Sequence, residues 1–309
     1  MTKPYDWGIR ASWALPMQAK VQVETDFFLG VKGSEITYAG RYKPALKSKC
    51  RQFIDAKGHV LMPGLINGHT HLPMTLFRGL EDDVPLKTWL FDRIFPLEKK
   101  FVSKDFVRVG TELAALECIR FGTTTVCDMY FFVEESAKIW EKSGLRGIFG
   151  QPFMSFPIPE DAVLGEDRFA RFEQLRKKFA HSDLIEIGLA PHAPYTCNDE
   201  LLKQVGERAR SSGALVHIHV SESWSEEPES QKNFGKTQTE RLRDLGLLGP
   251  RTLCAHAVHL SPSDRAIVKE KNAAVVHNPD SNLKLGSGVA PVTEYRREGI
   301  RAALGSDGC

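Results

Sequence analysis

HVLMPGLINGHTH, residues 59–71, is an apolar run that ends in two histidines one residue apart, His69 and His71. Read as a buried strand, it projects both imidazoles from one face, because side chains at i and i+2 point the same way. Seven more runs of this kind follow: GTTTVCDMY (122–130), LRGIFGQPF (145–153), LIEIGLAPHAPYTC (184–197), ALVHIHVSES (214–223), TLCAHAVHL (252–260), NAAVVHNPD (272–280) and IRAALGSDG (300–308). Between most of them lie amphipathic helical patterns, such as SKDFVRVGTELAALECIRFG (103–122), NDELLKQVGERARSSG (198–213) and PSDRAIVKEKN (262–272). Ser103, Asn198 and Ser261 are placed to cap helix starts, and Gly122 and Gly213 to end helices. Eight β-α units predict a (β/α)8, TIM-like barrel. A doubly wound open sheet would call for a glycine-rich phosphate turn after the first strand, and no GxGxxG is there.

The first sixty residues read differently. KVQVETDFFLGVKGSEITYAG (20–40) mixes short β-type runs with glycine turns. We expect residues 1–60 to form part of a small β-sandwich domain and 61–309 to form the barrel. The sequence stops two residues past Asp307, leaving nothing for an eighth helix. A barrel truncated at its C-terminus, without its last helix, is therefore expected.

Bulk composition excludes several functions. Forty-one Lys and Arg against 39 Asp and Glu give a formal charge of +2, which offers no reason to expect nucleic acid or an anionic membrane as partner. No apolar run approaches the ~20 residues of a membrane span. The six cysteines include no CxxC pair, so neither a disulfide framework nor a thiolate zinc site is indicated and a cytoplasmic location is expected. The N-terminus has no signal-peptide core.

In barrel enzymes chemistry sits at the carboxyl ends of the strands, and the polar residues fall there. His69 and His71 close the first strand, His192 lies late in the fourth, and His219 and Glu222 end the fifth. His256 and His259 end the sixth, His277 the seventh and Asp307 the eighth. Two imidazoles as close as His69 and His71 are costly to bury unless a shared metal or hydrogen bonds satisfy them. A third histidine and an aspartate from distant strands would complete a nitrogen-rich site suited to zinc, or to another borderline ion such as iron.

These residues resemble the amidohydrolase superfamily. The motifs PGLINGHTHLPMTLFRGLEDDVPLKTWL, APHAPYTC, HIHVSES, HAVHL, HNPDSNLKLGSGVAP and ALGSDG are most similar to its 5′-methylthioadenosine/S-adenosylhomocysteine deaminase and chlorohydrolase branch, from about residue 60 to the end. The resemblance implies one divalent metal ion, zinc or alternatively iron, held by His69, His71, His219 and Asp307. The fourth strand carries no lysine to bridge a second metal, so a mononuclear site is implied. Glu222 would shuttle the proton of a metal-activated water to a ring nitrogen. His256 would orient the attacking oxygen, and Asp307 would pass a proton to the departing ammonia. His259 is the neighbouring alternative to His256; His217 reads as a core residue and His277 as a brace.

The implied activity is hydrolytic deamination of an adenosine-type nucleoside: 5′-methylthioadenosine, S-adenosylhomocysteine or adenosine. By the same resemblance Trp89 would pack on the nucleoside, Glu98 would accept ribose hydroxyls and His192 would approach the purine. Arg168 would meet the amino-acid end of a long substrate. The alternatives are an aminohydrolase of guanine, a pterin or cytosine, an s-triazine chlorohydrolase, or a catalytically inactive barrel used for binding. A small molecule is the expected partner, with neither nucleic acid nor membrane, and a homo-oligomer is expected.

Overall fold

The computed structural model describes residues 3–17, 22–81 and 83–308. The chain divides into two compact units, Met1–Gly64 and Leu65–Cys309. In the first unit β1 (Tyr5–Ala14), β2 (Glu24–Lys32), β3 (Glu35–Arg41) and β4 (Cys50–Leu61) form one sheet in the order β3-β2-β1-β4. β1 pairs antiparallel with β2 and parallel with β4. Phe28, Leu46 and Cys50 form its small core, packed against Tyr5, Tyr38, Tyr42 and Phe53. The small β domain expected here is thus, among the described residues, a single four-stranded sheet.

The second unit is the barrel. β5 (Leu65–Thr70), β6 (Thr123–Met129), β7 (Arg146–Phe153), β8 (Ile185–Pro191), β9 (Val216–Val220), β10 (Thr252–His256), β11 (Ala274–His277) and β12 (Arg301–Leu304) lie in sequential order in one eight-stranded sheet. Each falls inside one of the eight runs read from the sequence. The pairs from β5 to β12 are parallel. The ring closes between β12 and β5 through a parallel bridge, Thr70 to Asp307. There the amides of Ser306 and Asp307 donate to the His69 carbonyl at 3.1 and 3.0 Å. Strands buried on both faces need continuous apolar runs; every residue of β9 and β11 is buried.

Helices cover the outer face. Trp140, Phe149, Phe153, Phe172, Leu202 and Leu242 fill the layer between helices and sheet. The helix boundaries follow local chemistry. Ser103, Asn198 and Ser261 accept hydrogen bonds from the third helical amide, and Ser261 completes a capping box with Asp264. Gly122 and Gly213 end their helices in the left-handed conformation, at φ 80° and 68°. No helix among the described residues is long and apolar enough to cross a membrane.

One glycine fixes the turn that follows His71. A Cβ on Gly110, in the helix Lys104–Phe121, would lie 2.5 Å from the Pro73 carbonyl oxygen and 2.8 Å from its Cα. The short 3₁₀ turn Leu72–Phe77 can therefore lie directly on this helix. In an open helix, alanine would gain about 1 kcal/mol over glycine. Here the clash is with backbone, and overpacking of this kind costs about 1–3 kcal/mol. Gly110→Ala is expected to lower stability by about 1–2 kcal/mol in equilibrium denaturant unfolding.

Candidate metal and active site

Five polar side chains converge at the carboxyl ends of the strands. His69 belongs to β5 and His71 follows it, His219 lies in β9, His256 ends β10, and Asp307 follows β12. Asp307 Oδ1 is 2.9 Å from His69 Nε2 and 3.1 Å from His71 Nε2. His71 Nε2 is 3.4 Å from His219 Nε2, and Asp307 Oδ2 is 3.6 Å from His256 Nε2. Donors placed tetrahedrally at about 2.0–2.1 Å from one ion lie about 3.4 Å from each other. These four spacings, 2.9–3.6 Å, bracket that value.

Each imidazole is also turned the right way. Nδ1–H donates to the Met129 carbonyl in His71 (2.5 Å), to the His192 carbonyl in His219 (2.7 Å) and to Asn282 Oδ1 in His256 (2.7 Å). His69 Nδ1 lies 2.8 Å from His217 Nε2. All four rings therefore direct Nε2 inward. His256 Nε2 is buried with no hydrogen-bond partner, a costly state that a cation would relieve. Inward lone pairs beside a carboxylate fit a borderline divalent ion. The four groups whose donor atoms all lie within 4.8 Å of one another are His69, His219, His256 and Asp307. This set differs by one member from the four ligands inferred from sequence. His71 is outside it but touches two of its members, while His256, read as an orienting residue, is inside.

The backbone is strained where it delivers these groups. Ser221, His256, Ala257 and Asp307 all have positive φ, at 51°, 69°, 50° and 64°. Non-glycine residues in that region cost about 1–3 kcal/mol each. Ser221 is held by Gln238, whose Oε1 accepts its amide at 2.8 Å, and this fixes the turn carrying Glu222.

Electrostatics follow from burial and crowding. Burial lowers His69 to about 4 against the pull of Asp307, and it holds His219 well below the usual histidine range. For His71 burial acts downward too, but hydrogen bonding and attraction to Asp307 outweigh it and raise the ring. Burial would raise Asp307, yet His256 and His69 keep it well below the ordinary carboxylate range. Glu222 is pushed well above that range by burial, then by Asp307 and Glu226. It is 3% exposed, with Oε2 3.5 Å from His256 Nε2 and Oε1 accepting from Ser287 Oγ at 3.4 Å.

Above this group lies a cleft of largely apolar lining with a few convergent polar groups, the usual make-up of small-molecule sites. Trp89, Glu98 and His192 line it, together with Glu222, His256 and Asp307. Trp89 lies in a π-helical turn, Thr88–Ile94, that runs into the helix Phe95–Phe101 carrying Glu98. Burial raises Glu98 to about 7 although Tyr130 and His71 favour its charged form.

Arg168 is a correction: it is not brought into this group. Its guanidinium donates to both Asp161 oxygens and to the Met154 and Phe156 carbonyls. With its donors so engaged it clamps the loop that brings Met154 to the cleft. His259 also points elsewhere, onto the Ser287 carbonyl at 2.7 Å. His277 accepts from Asn282 Nδ2 at 3.3 Å, bracing the residue that orients His256.

Sequence reasoning missed Ser281, Asn282 and Asp128. Ser281 Oγ donates to Asp307 Oδ2 at 2.6 Å, and Asp128 accepts the Leu72 amide at 2.7 Å. Ser281 and Asn282 lie in HNPDSNLKLGSGVAP, in a short helix, Pro279–Lys284, that starts just past the strand end. That position was the available signal.

The amidohydrolase family model matches residues 60–309. A 5-methylthioadenosine/S-adenosylhomocysteine deaminase of Thermodesulfovibrio yellowstonii is 40% identical, over 97% of this chain and 69% of the relative. A 5′-deoxyadenosine deaminase of Methanosarcina mazei is 44% identical over 85% of this chain and 60% of its own. The crystal structure of an adenosine deaminase from Xanthomonas campestris with bound zinc superposes with a TM-score of 0.94 and 33% identity. It covers 100% of this chain, which in turn covers 70% of it. The chain thus spans between 60 and 70% of the length of these proteins.

Proposed function

The chain belongs to the amidohydrolase family, and from that premise we propose that it deaminates an adenosine-type nucleoside by hydrolysis, with zinc as its metal and iron as the alternative. The observation that carries this reading is the convergence of inward-facing Nε2 atoms and Asp307 beneath a cleft walled by Trp89 and Glu98. The relatives named above act on 5-methylthioadenosine and S-adenosylhomocysteine, 5′-deoxyadenosine or adenosine. An adenine nucleoside is common to all of these, and the 5′ group varies.

His69, His71, His219 and Asp307 would hold the ion, with His256 beside them. When bound, the ion supplies a water acidified from 15.7 toward about 7. Glu222 takes that water's proton and delivers it to the ring nitrogen next to the amino-bearing carbon. The oxygen adds to that carbon, and His256 steadies the charge that develops. Asp307 would take the remaining proton from the added hydroxyl and pass it to the amino group; the C–N bond breaks, and ammonia leaves as the ring carbonyl forms. Trp89 packs on the nucleoside, Glu98 accepts the ribose hydroxyls and His192 meets the purine. We place the protein in the cytoplasm, since the five cysteines among the described residues are free, and we take it to be a homo-oligomer.

The test is substrate preference. A free base leaves Glu98 without its hydroxyl partners, and an unpaired polar group in a closed site costs about 1–3 kcal/mol, more if charged. Adenosine-type substrates should therefore exceed adenine by at least ~10-fold in kcat/KM. The preference should collapse in Glu98→Ala. Ammonia release is to be followed with methylthioadenosine, S-adenosylhomocysteine, adenosine, adenine, guanine and a chlorotriazine. Preference for a free base or for the triazine would overturn the nucleoside reading.

A further inference from the structure

His217 lies two residues before His219 on β9 and is 1% exposed. Both of its ring nitrogens face away from the cluster of inward Nε2 atoms. Nε2 is 2.8 Å from His69 Nδ1, and Nδ1 is 3.3 Å from Cys127 Sγ. A ring engaged on both sides has no lone pair left for a metal, so His217 is not a ligand. Its place is behind one.

The other three inward rings have their Nδ1–H fixed by an oxygen that can only accept. His69 is different because its Nδ1 faces a nitrogen, and one proton must lie between the two. If that proton sat on His217, then neutral His69 would carry its own on Nε2, pointing at Asp307 and blocking any ion. If it sits on His69 Nδ1, Nε2 presents a lone pair to the site, and the neutral His217 bears its proton on Nδ1. Cys127 Sγ lies there to accept, as a sulfur can weakly. Cys127 is buried, and burial keeps it a thiol.

We propose that His217, backed by Cys127, is a positioning residue that holds His69 in the Nδ1–H tautomer and so makes it a metal ligand. This rests on the metal-site reading above. It is the one place in the cluster where the tautomer of a ligand depends on a second titratable ring. Partners of this kind typically change metal affinity 10–100-fold.

The experiment measures zinc affinity of the metal-stripped chain by competition with a chromophoric chelator, alongside the Tm of the metal-free form. His217→Leu is expected to weaken zinc binding about 10–100-fold. His217→Gln should restore it to within a few-fold, because its amide oxygen can accept from His69 Nδ1–H. A structural role alone would lower the metal-free Tm in both variants without separating their zinc affinities. Parent-like affinity in His217→Leu, or equal loss in both variants, would overturn the inference. Ring ¹⁵N shifts of the zinc-loaded parent chain give a readout that needs no variant to fold. His69 and His217 should both report as Nδ1–H tautomers, and Nε2–H at His69 would overturn the inference. A parent chain with no zinc affinity would instead overturn the metal-site reading and this inference together.

Discussion

Glu222→Gln is expected to cut ammonia release by about 10²–10⁴-fold, the usual range for removing one general acid–base group. The substitution keeps the shape of the side chain and its ability to accept from Ser287 Oγ. What it removes is the capacity to take a proton and give it back. Burial and the Asp307 carboxylate raise the affinity of Glu222 for a proton, which suits a group that must take one from water and hold it until the ring nitrogen accepts it. Glu222 is not among the residues proposed to hold the ion, so metal content by elemental analysis should stay close to that of the parent. Parent-like kcat would remove Glu222 from the mechanism; loss of metal together with rate would make it a structural support of the site.

Removing the metal is expected to abolish turnover, and replacing it should change stability as well. A metal-replete chain should carry about one divalent ion, since the inward donors converge on one place and the fourth strand has no lysine to bridge a second ion. Free zinc at about a thousand times its Kd adds roughly 4 kcal/mol to a fold that binds it only when native. For a domain of this size that is a rise in Tm of roughly 8–16 °C. Differential scanning fluorimetry of stripped and reloaded chain checks the shift, with ammonia release read on the same samples. His219→Ala should abolish both effects, because no described neighbour replaces its inward Nε2 beside His71. Two ions per chain would contradict a mononuclear centre.

The barrel was legible because its signal is repeated. Each strand is too short to identify alone, but eight apolar runs with helices between them admit few architectures. Site residues were legible where they sit on or next to a strand end, as His69, His219 and His256 do. Their mutual distances were not, since they depend on how the ring closes. Left-handed turns at Ser221 and His256 re-aim side chains in a way that strand periodicity cannot anticipate. Arg168 shows the opposite failure. A charged residue in the helix Arg168–Lys178 suggested a ligand contact, whereas nearby carbonyls and Asp161 take up its donors. Ser281 and Asn282 were hidden because polar residues after a strand end are ordinary loop composition, and only three-dimensional contact marks them.

The bridge between Thr70 and Asp307 has a meaning beyond chemistry. The ring of strands is joined where the first barrel strand meets the last, by that bridge and two amides on the His69 carbonyl. His69 and Asp307 stand 238 positions apart in the chain. An ion gripped by both would be a clasp on a very long loop. By the chain-entropy relation for cross-links, closing such a loop is worth roughly 5 kcal/mol. Without the ion this junction would rest on those contacts and on the hydrogen bonds between Asn67 and Ser306, so limited proteolysis of stripped chain is expected to be faster than that of reloaded chain. Metal supply would then set how long each molecule lasts as well as how fast it works.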